Sequence, residues 1–292
     1  MHALLPFGFM QFQLTTQIAY TQDDFKLLRD AIYDYSGIYI ANDYQGIFMR
    51  RLERRVLALA IDSFNEYYYY LKYNQQHDEE FRNLMDVITI KETYFFRELD
   101  QMKTLVNEVI PDLRKANPSE TIKIWSAGCA TGEEAYTIAM LCIEKGYHLG
   151  ESRVEIFAND ISQEAIQKAK QGVYKQSSFR TTDASYLQRF FTAQQDGSYK
   201  ISDEAKEPLN FFCINLLDKS RLTFLPMFDV IFCRNLIIYF DDNSKRQIIE
   251  TFYKKLYPQR YLFLGHSESL INFTHLFKLR HFQHSLVYQR AT

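Results

Sequence analysis

The sequence predicts an α/β fold, a mainly parallel sheet with helices on both faces, preceded by an all-helical region. Two observations carry this. From about residue 120 onward, short β-rich runs alternate with helical runs, and the strand candidates are almost continuously apolar, as strands covered on both faces must be. Before about residue 90, apolar residues recur only at helical spacing. The 292 residues, 47% of them hydrophobic, suffice for a large core and two domains, expected at 1–90 and 91–292.

In chain order, "DDFKLLRDAIYDYSG" has a helical apolar spacing and stops at Gly37. "YQGIFMRRLERRVLALA" places Phe48, Leu52, Val56 and Leu59 on one side of a second helix. "SFNEYYYYLKY" opens with Ser63 and Glu66 at capping-box spacing, and "EEFRNLMDVIT" is a fourth helix. The strand candidates are 121–126, 154–160, 209–215, 228–234 and 261–266. Helical runs between them include "EEAYTIAMLCIEKG", "SQEAIQKAKQG" and "SKRQIIETFYKKLY". "LFKLRHFQHSLVYQR" reads as an antiparallel pair closing one edge. Asp196-Gly197 is a turn signal between two short strand-like runs, which predicts a small β-hairpin insert at about 185–207.

Composition removes several function classes. A net charge of −2 argues against a general nucleic-acid binder. The four cysteines are widely spaced without a CxxC pair, so neither a zinc site nor a disulfide framework is expected, and a reducing cytoplasm fits. His281 and His284 lack acidic or thiol partners in their neighbourhood, so no metal is expected. The first 20 residues contain no charged side chain and hence no basic n-region, while Pro6, Gly8, Gln11 and Gln13 interrupt any membrane span. A packed or frayed extension is expected there, with no membrane insertion.

The stretch "WSAGCATGEE" follows the first strand of the α/β region, where open sheets bind ligands. Its small residues Ala127, Gly128, Ala130 and Gly132 let a ligand approach the backbone. It matches neither G-x-x-x-x-G-K-[ST] nor G-x-G-x-x-G, and Glu133 and Glu134 would repel a diphosphate. A phosphate-free, cationic cofactor fits better, and S-adenosylmethionine is one. The alternative is that both glutamates simply suit the positive end of a helix. Asp160 ends the second strand, where an acid can accept ribose hydroxyls; the alternative is an Asp capping the next helix.

"TIKETYFFRE" (89–98), "WSAGCATGEEAYTIAM" (125–140), "FCINLLD" (212–218), "FCRNLIIYF" (232–240) and "LGHSESL" (264–270) occur in this order. Together they resemble the CheR family, the chemotaxis receptor glutamate O-methyltransferases, over nearly the whole chain. The resemblance implies a Rossmann-like class I S-adenosylmethionine-dependent methyltransferase sheet, an all-helical N-terminal domain and a small inserted β-subdomain. It implies methylation of glutamate side chains on the cytoplasmic methylation helices of chemoreceptors, by a cytoplasmic monomer that releases S-adenosylhomocysteine.

Position by position, the resemblance implies that Thr93 and Arg97 face the cofactor and that Glu133 and Asp160 bind its polar groups. Asn215 and Leu216 would border the adenine, Arg234 and Asn235 would line the cleft, and Tyr239 would lie near the transferred methyl. Lys91 stands where the family often has Asn, which puts one cofactor hydrogen bond in question, and Ala135 stands where Pro is common. For Tyr239 taken alone, core packing is the alternative. His266 reads as a structural turn rather than a base. An acceptor glutamate, with pKa about 4.3, is already ionised and needs no base; Arg97 and Tyr239 would orient it.

Arg50, Arg51, Arg54 and Arg55 lie on adjoining faces of one helix, although residues 1–90 carry eight Lys+Arg against twelve Asp+Glu. This patch is a candidate dock for glutamate-rich receptor helices, with reversal of Arg51 and Arg55 expected to weaken methylation; the alternative is a solvated face paired internally. Two other functions remain open: a small-molecule methyltransferase, and a non-catalytic cofactor-binding signalling protein, which Lys91 favours.

Overall fold

Apolar periodicity translates directly into the first four helices. The computed structural model describes residues 17–116, 120–148 and 153–291, so most of the expected extension at 1–20 lies outside the described residues. The chain divides into two units, one containing Ile40–Ile88 and the residues before Tyr35, the other containing Tyr35–Tyr39 and the residues from Thr89 on.

In the first unit, helices α1 (Gln22–Ser36), α2 (Gln45–Ala58), α3 (Phe64–Tyr73) and α4 (His77–Ile88) converge on a shared core. α2 contributes Phe48, Met49, Leu52 and Val56, all buried, each stabilising by about 1.5–3 kcal/mol relative to exposure. Leu59 falls just past the helix end and is only half-buried. Ser63 caps α3 by accepting from the Glu66 N–H at 3.2 Å, while Glu66 reaches back to the Asp62 N–H at 3.4 Å.

The second unit opens with a helical stretch that the sequence periodicity did not single out. It comprises α5 (Leu99–Thr104), a π-helical turn at Leu105–Val109, and α6 (Ile110–Ala116). Strand β1 (Ile122–Ala127) then leads to α7 (Glu133–Glu144), β2 (Val154–Asp160) and α8 (Gln163–Gln171). An insert follows, with β3 (Val173–Tyr174), α9 (Ala184–Phe190), β4 (Phe191–Ala193), β5 (Tyr199–Ile201) and α10 (Asp203–Lys206). The main sheet resumes with β6 (Leu209–Cys213), α11 (Lys219–Leu222), β7 (Phe228–Cys233), α12 (Asp242–Lys255), β8 (Leu256–Leu264), β9 (Phe277–His281) and β10 (Leu286–Arg290).

The seven-stranded sheet has the order β6-β2-β1-β7-β8-β10-β9. β6, β2, β1, β7 and β8 run parallel, and β10 and β9 pair antiparallel at one edge. The chain moves outward from β1 through β2 to β6 and then crosses back to β7, so the switch point lies between β1 and β7, where the carboxyl ends of parallel strands leave a crevice. Every residue of β7 is buried, as a central strand covered on both faces requires. Trp125 fixes the middle of the sheet: its indole N–H donates to Asn159 Oδ1 at 2.7 Å and its ring packs on Phe228 and Phe252.

The hairpin around Asp196-Gly197 forms, but β5 also pairs with β3, so the insert is a three-stranded sheet that begins before residue 185. Phe95 anchors to it, stacking on Phe179 at 5.1 Å between ring centres and meeting Tyr174 and Phe191 edge-on. Part of the high aromatic content therefore tethers the segment that precedes Arg97.

Candidate active site

A cleft of about 760 Å³, counting the part open to solvent, lies at the carboxyl ends of β1, β2 and β7. Its wall after β1 is made by Gly128, Cys129 and Ala130. Gly128 has φ +80°, and a Cβ there would lie 2.5 Å from Leu236 Cδ2, so the turn needs glycine both for its dihedral and for space. Ala130 is left-handed too, at φ 47°, and is held by its N–H donating to Asp160 Oδ2 at 2.9 Å. The other Asp160 oxygen accepts from the Ser162 N–H at 2.9 Å. Asp160 thus faces the cleft while fixing the β1 turn, and the cap of the next helix is Ser162, which accepts from the Ala165 N–H at 3.1 Å.

The two glutamates at the start of α7 separate. Glu134 lines the cleft, accepting from Ser126 Oγ at 2.7 Å and from Arg234 Nη1 at 3.1 Å. Glu133 is buried and does not line it; its carboxylate accepts from Thr131 Oγ1 at 2.6 Å and Ser178 Oγ at 3.1 Å. Glu134 rather than Glu133 therefore faces the crevice, because successive helix residues differ by about 100° and only one of two can do so. Burial raises the carboxyl pKa of both glutamates above the ordinary range, opposed at Glu134 by Arg234.

The segment before α5 forms the opposite wall with Glu92, Thr93, Tyr94 and Arg97. It is pinned at several points: Phe95 N–H to Ser178 O at 3.0 Å, Phe96 N–H to Thr137 Oγ1 at 3.1 Å, and Arg234 Nη2 to Arg97 O at 2.7 Å. Phe96 and Glu98 are left-handed at φ 60° and 52°. Four non-glycine residues of this conformation, Phe96, Glu98, Ala130 and Asn235, therefore fall in the segments around the cleft, each costing about 1–3 kcal/mol that the surrounding contacts must offset. Arg97 donates to Glu92 O at 3.2 Å and lies 5.7 Å from the Tyr94 ring centre.

After β7, Arg234, Asn235, Leu236, Ile238 and Tyr239 complete the lining. Arg234 is buried between Glu134 and Glu98, the latter at 3.0 Å. Burial pushes the Glu98 carboxyl up, but Arg234, with His266 and Arg97, outweighs it and holds the group below the ordinary value. Tyr239 is half-buried, closes a short 3-10 turn, and accepts from the Tyr39 N–H at 2.9 Å.

Of the residues singled out from sequence, Thr93, Arg97, Asp160, Arg234, Asn235 and Tyr239 are brought together in one cleft. Asn215 and Leu216 follow β6, next to the end of β2, but do not line it; Asn215 donates to Tyr35 O and accepts from the Leu217 N–H, so it builds its own turn. Lys91 does not line the cleft either, and its ammonium pairs with Glu164. His266 is exposed in the turn after β8, 3.8 Å from Glu98. Glu134, absent from the cofactor assignments, lines the cleft, and the paired acids of "TGEE" are the signal for it.

The arginine patch divides as well. Arg55 forms a two-point ion pair with Glu80 at 2.6 and 2.9 Å, and Arg51 donates to Ile88 O at 2.7 Å. Glu80 is 2% exposed and also accepts from the Tyr67 hydroxyl at 2.6 Å. Arg51 and Arg55 are therefore half-buried internal ties of the helical unit, while Arg50 and Arg54, on the outward face of α2, are exposed.

Residues 91–286 match the family described as "CheR methyltransferase, SAM binding domain", and residues 23–89 match "CheR methyltransferase, all-alpha domain". The chain is 38% identical over 274 residues to chemotaxis protein methyltransferase 2 of Vibrio cholerae, covering 94% of this chain and 95% of that protein. It is 33% identical to the chemotaxis protein methyltransferase of Salmonella typhimurium, covering 92% and 91%, and 34% identical to that of Escherichia coli, covering 90% and 89%.

Proposed function

Because this chain belongs to the CheR methyltransferase family and is an S-adenosylmethionine-dependent methyltransferase, we propose that it methylates glutamate side-chain carboxylates of chemotaxis receptors. The observation that carries the reading is the charge of the cleft. Three carboxylates (Glu92, Glu134, Asp160) and two guanidiniums (Arg97, Arg234) line it at the sheet's switch point. This donor set fits a cofactor with hydroxyls, an ammonium and a sulfonium, and the β1-turn amides that would cradle a diphosphate already donate to Asn159 O and Asp160.

When bound, S-adenosylmethionine supplies a methyl group on a cationic sulfonium. Thr93, Arg97, Glu134, Asp160, Arg234 and Asn235 are the residues proposed to hold it, with Asn215 and Leu216, at the end of β6, assigned to the adenine end. The chain's own part in the reaction is orientation and exclusion of water. The acceptor carboxylate arrives ionised, at a pKa of about 4.3 in its free state, so no side chain has to remove a proton. Arg97 orients the carboxylate; a planar guanidinium can engage two oxygens at once. Tyr239 walls the pocket with its ring and directs the acceptor through its hydroxyl. Ile90, Met102, Leu236 and Ile238 line the same cleft with apolar surface, keeping water from reactants whose opposite charges weaken toward the transition state. Well-oriented reacting groups gain up to about 7–11 kcal/mol.

The exposed Arg50 and Arg54 are proposed to meet acidic receptor helices, chiefly raising the encounter rate. No helix among the described residues is long and apolar enough to cross a membrane, and the proposed working form is a cytoplasmic monomer. The test is transfer of labelled methyl from S-adenosylmethionine to receptor-containing membranes. Base-labile label on receptor glutamates is expected. Cofactor binding without transfer would instead favour a sensor, and label confined to small molecules a different methyltransferase.

A further inference from the structure

Glu268 lies in the turn after β8, 33 residues beyond Asn235 in the chain, yet its carboxylate is spent on the loop that follows β7. Oε2 accepts from the N–H groups of Asn235 and Gly265, each at 2.7 Å. Oε1 accepts from those of Leu236 and Ile237, each at 2.9 Å. Four bonds fill the acceptor capacity of a carboxylate. The side chain is buried, and Asn235 adopts φ 56° where its N–H turns inward. Consecutive backbone N–H groups converging in this way form a concavity that binds anions. Here the protein supplies the anion itself.

Space around the carboxylate is equally constrained. A Cβ on Gly265 would lie 2.8 Å from Glu268 Oε2 and 2.9 Å from both Asn235 nitrogens, so no larger residue leaves the clamp intact. The clamped residues lead directly into Ile238 and Tyr239, and Asn235, Leu236, Ile238 and Tyr239 all line the cleft.

We propose that Glu268 is a positioning residue for methyl transfer: by gathering the amides of residues 235–237 it fixes the cleft wall that carries Asn235 and Tyr239. The proposal rests on the methyltransferase reading above. It does not require Glu268 to touch cofactor or acceptor.

The test compares the full-length chain with E268Q and E268D. E268Q keeps the shape but replaces one oxygen with an NH₂ group, so two of the four N–H donors face a donor. E268D keeps the charge on a shorter arm. Three quantities are read at a temperature well below each variant's melting point: kcat and KM for receptor methylation, S-adenosylhomocysteine affinity by calorimetry, and hydrogen exchange of amides 235–237. The expected result is faster exchange of those amides and a kcat lowered by about ten- to a hundredfold in E268Q, with KM for receptor little changed and a smaller loss in E268D. A folded E268Q with kcat within about twofold of the parent overturns the proposal, whatever its melting temperature, and the same result in E268D overturns it where E268Q does not fold. Should E268Q not fold, E268D alone decides: lowered kcat at unchanged KM supports positioning. The exchange measurement needs no acceptor, so it separates a failed clamp from a failed assignment of substrate, in which the parent chain itself would transfer nothing.

Discussion

Arg234 and Glu134 meet at 3.1 Å, joining the end of β7 to the first turn of α7 across the floor of the cleft. The guanidinium is 1% exposed and also reaches Glu98 at 3.0 Å and Arg97 O at 2.7 Å. Removing it strands two carboxylates with little water to replace it. Arg234→Ala is therefore expected to cost about 3–5 kcal/mol, read from urea unfolding. A loss below 1 kcal/mol would show that the network is solvated and does not hold the site together.

The same charges predict a pH dependence. Burial raises the carboxyls of Glu134 and Asp160 above the ordinary carboxylate range; Arg234 opposes it at Glu134, and the Ser162 and Ala130 amides oppose it at Asp160. A carboxyl with a raised folded pKa takes up its proton earlier as pH falls, so the cleft loses negative charge before an ordinary surface acid would titrate. S-Adenosylmethionine affinity is expected to fall on acidification, and more steeply than that of S-adenosylhomocysteine, which lacks the sulfonium charge. Calorimetry between about pH 8 and pH 5 measures both, and Glu134→Gln should flatten the difference. Parallel curves for the two ligands would remove the electrostatic account. Stability has the opposite sign at these two groups, whose cost at neutral pH is relieved as pH falls through their folded pKa. Glu98, held low, contributes stability that is lost only as pH falls through its depressed value.

Arg55 and Arg54 are neighbours in different surroundings, one paired with Glu80 and the other exposed. Arg55→Ala leaves Glu80 buried with the Tyr67 hydroxyl as its remaining side-chain partner among the described residues, and is expected to destabilise the protein by about 3 kcal/mol. Arg50→Glu with Arg54→Glu changes exposed charges, which should shift stability by no more than about 0.5 kcal/mol each while slowing receptor methylation, increasingly so at low salt. Denaturant melts and initial rates at two ionic strengths check both. An unchanged methylation rate in the double variant would rule out docking through this face.

Gly128→Ala places a methyl group 2.5 Å from Leu236 Cδ2 at φ +80°. The backbone conformation alone costs about 1–2 kcal/mol, and Leu236 must shift along the cleft wall. A lower melting temperature together with weakened S-adenosylhomocysteine binding is expected; a lower melting temperature with unchanged affinity would mean that the turn does not shape the ligand site.

The sequence by itself determined the four helices before residue 89, the run of parallel strands, the antiparallel closing pair and the glycine turn, because each is written in local periodicity or in a residue only one conformation tolerates. The π-turned helix after Arg97 escaped it, as did β3 of the insert, whose two residues gain strand character only by pairing with β5. Which of two adjoining helix residues turns toward the cleft or the core was decided by the tertiary structure alone. Neighbouring helix residues point about 100° apart, so Glu134 and not Glu133 enters the crevice, and Arg51 and Arg55 turn inward while Arg50 and Arg54 stay outside. Glu268 and the residues of the β7 loop that it clamps are 31 to 33 apart in the chain and meet only because β7 and β8 lie side by side, a relation fixed by the packed sheet and recorded nowhere in the local sequence.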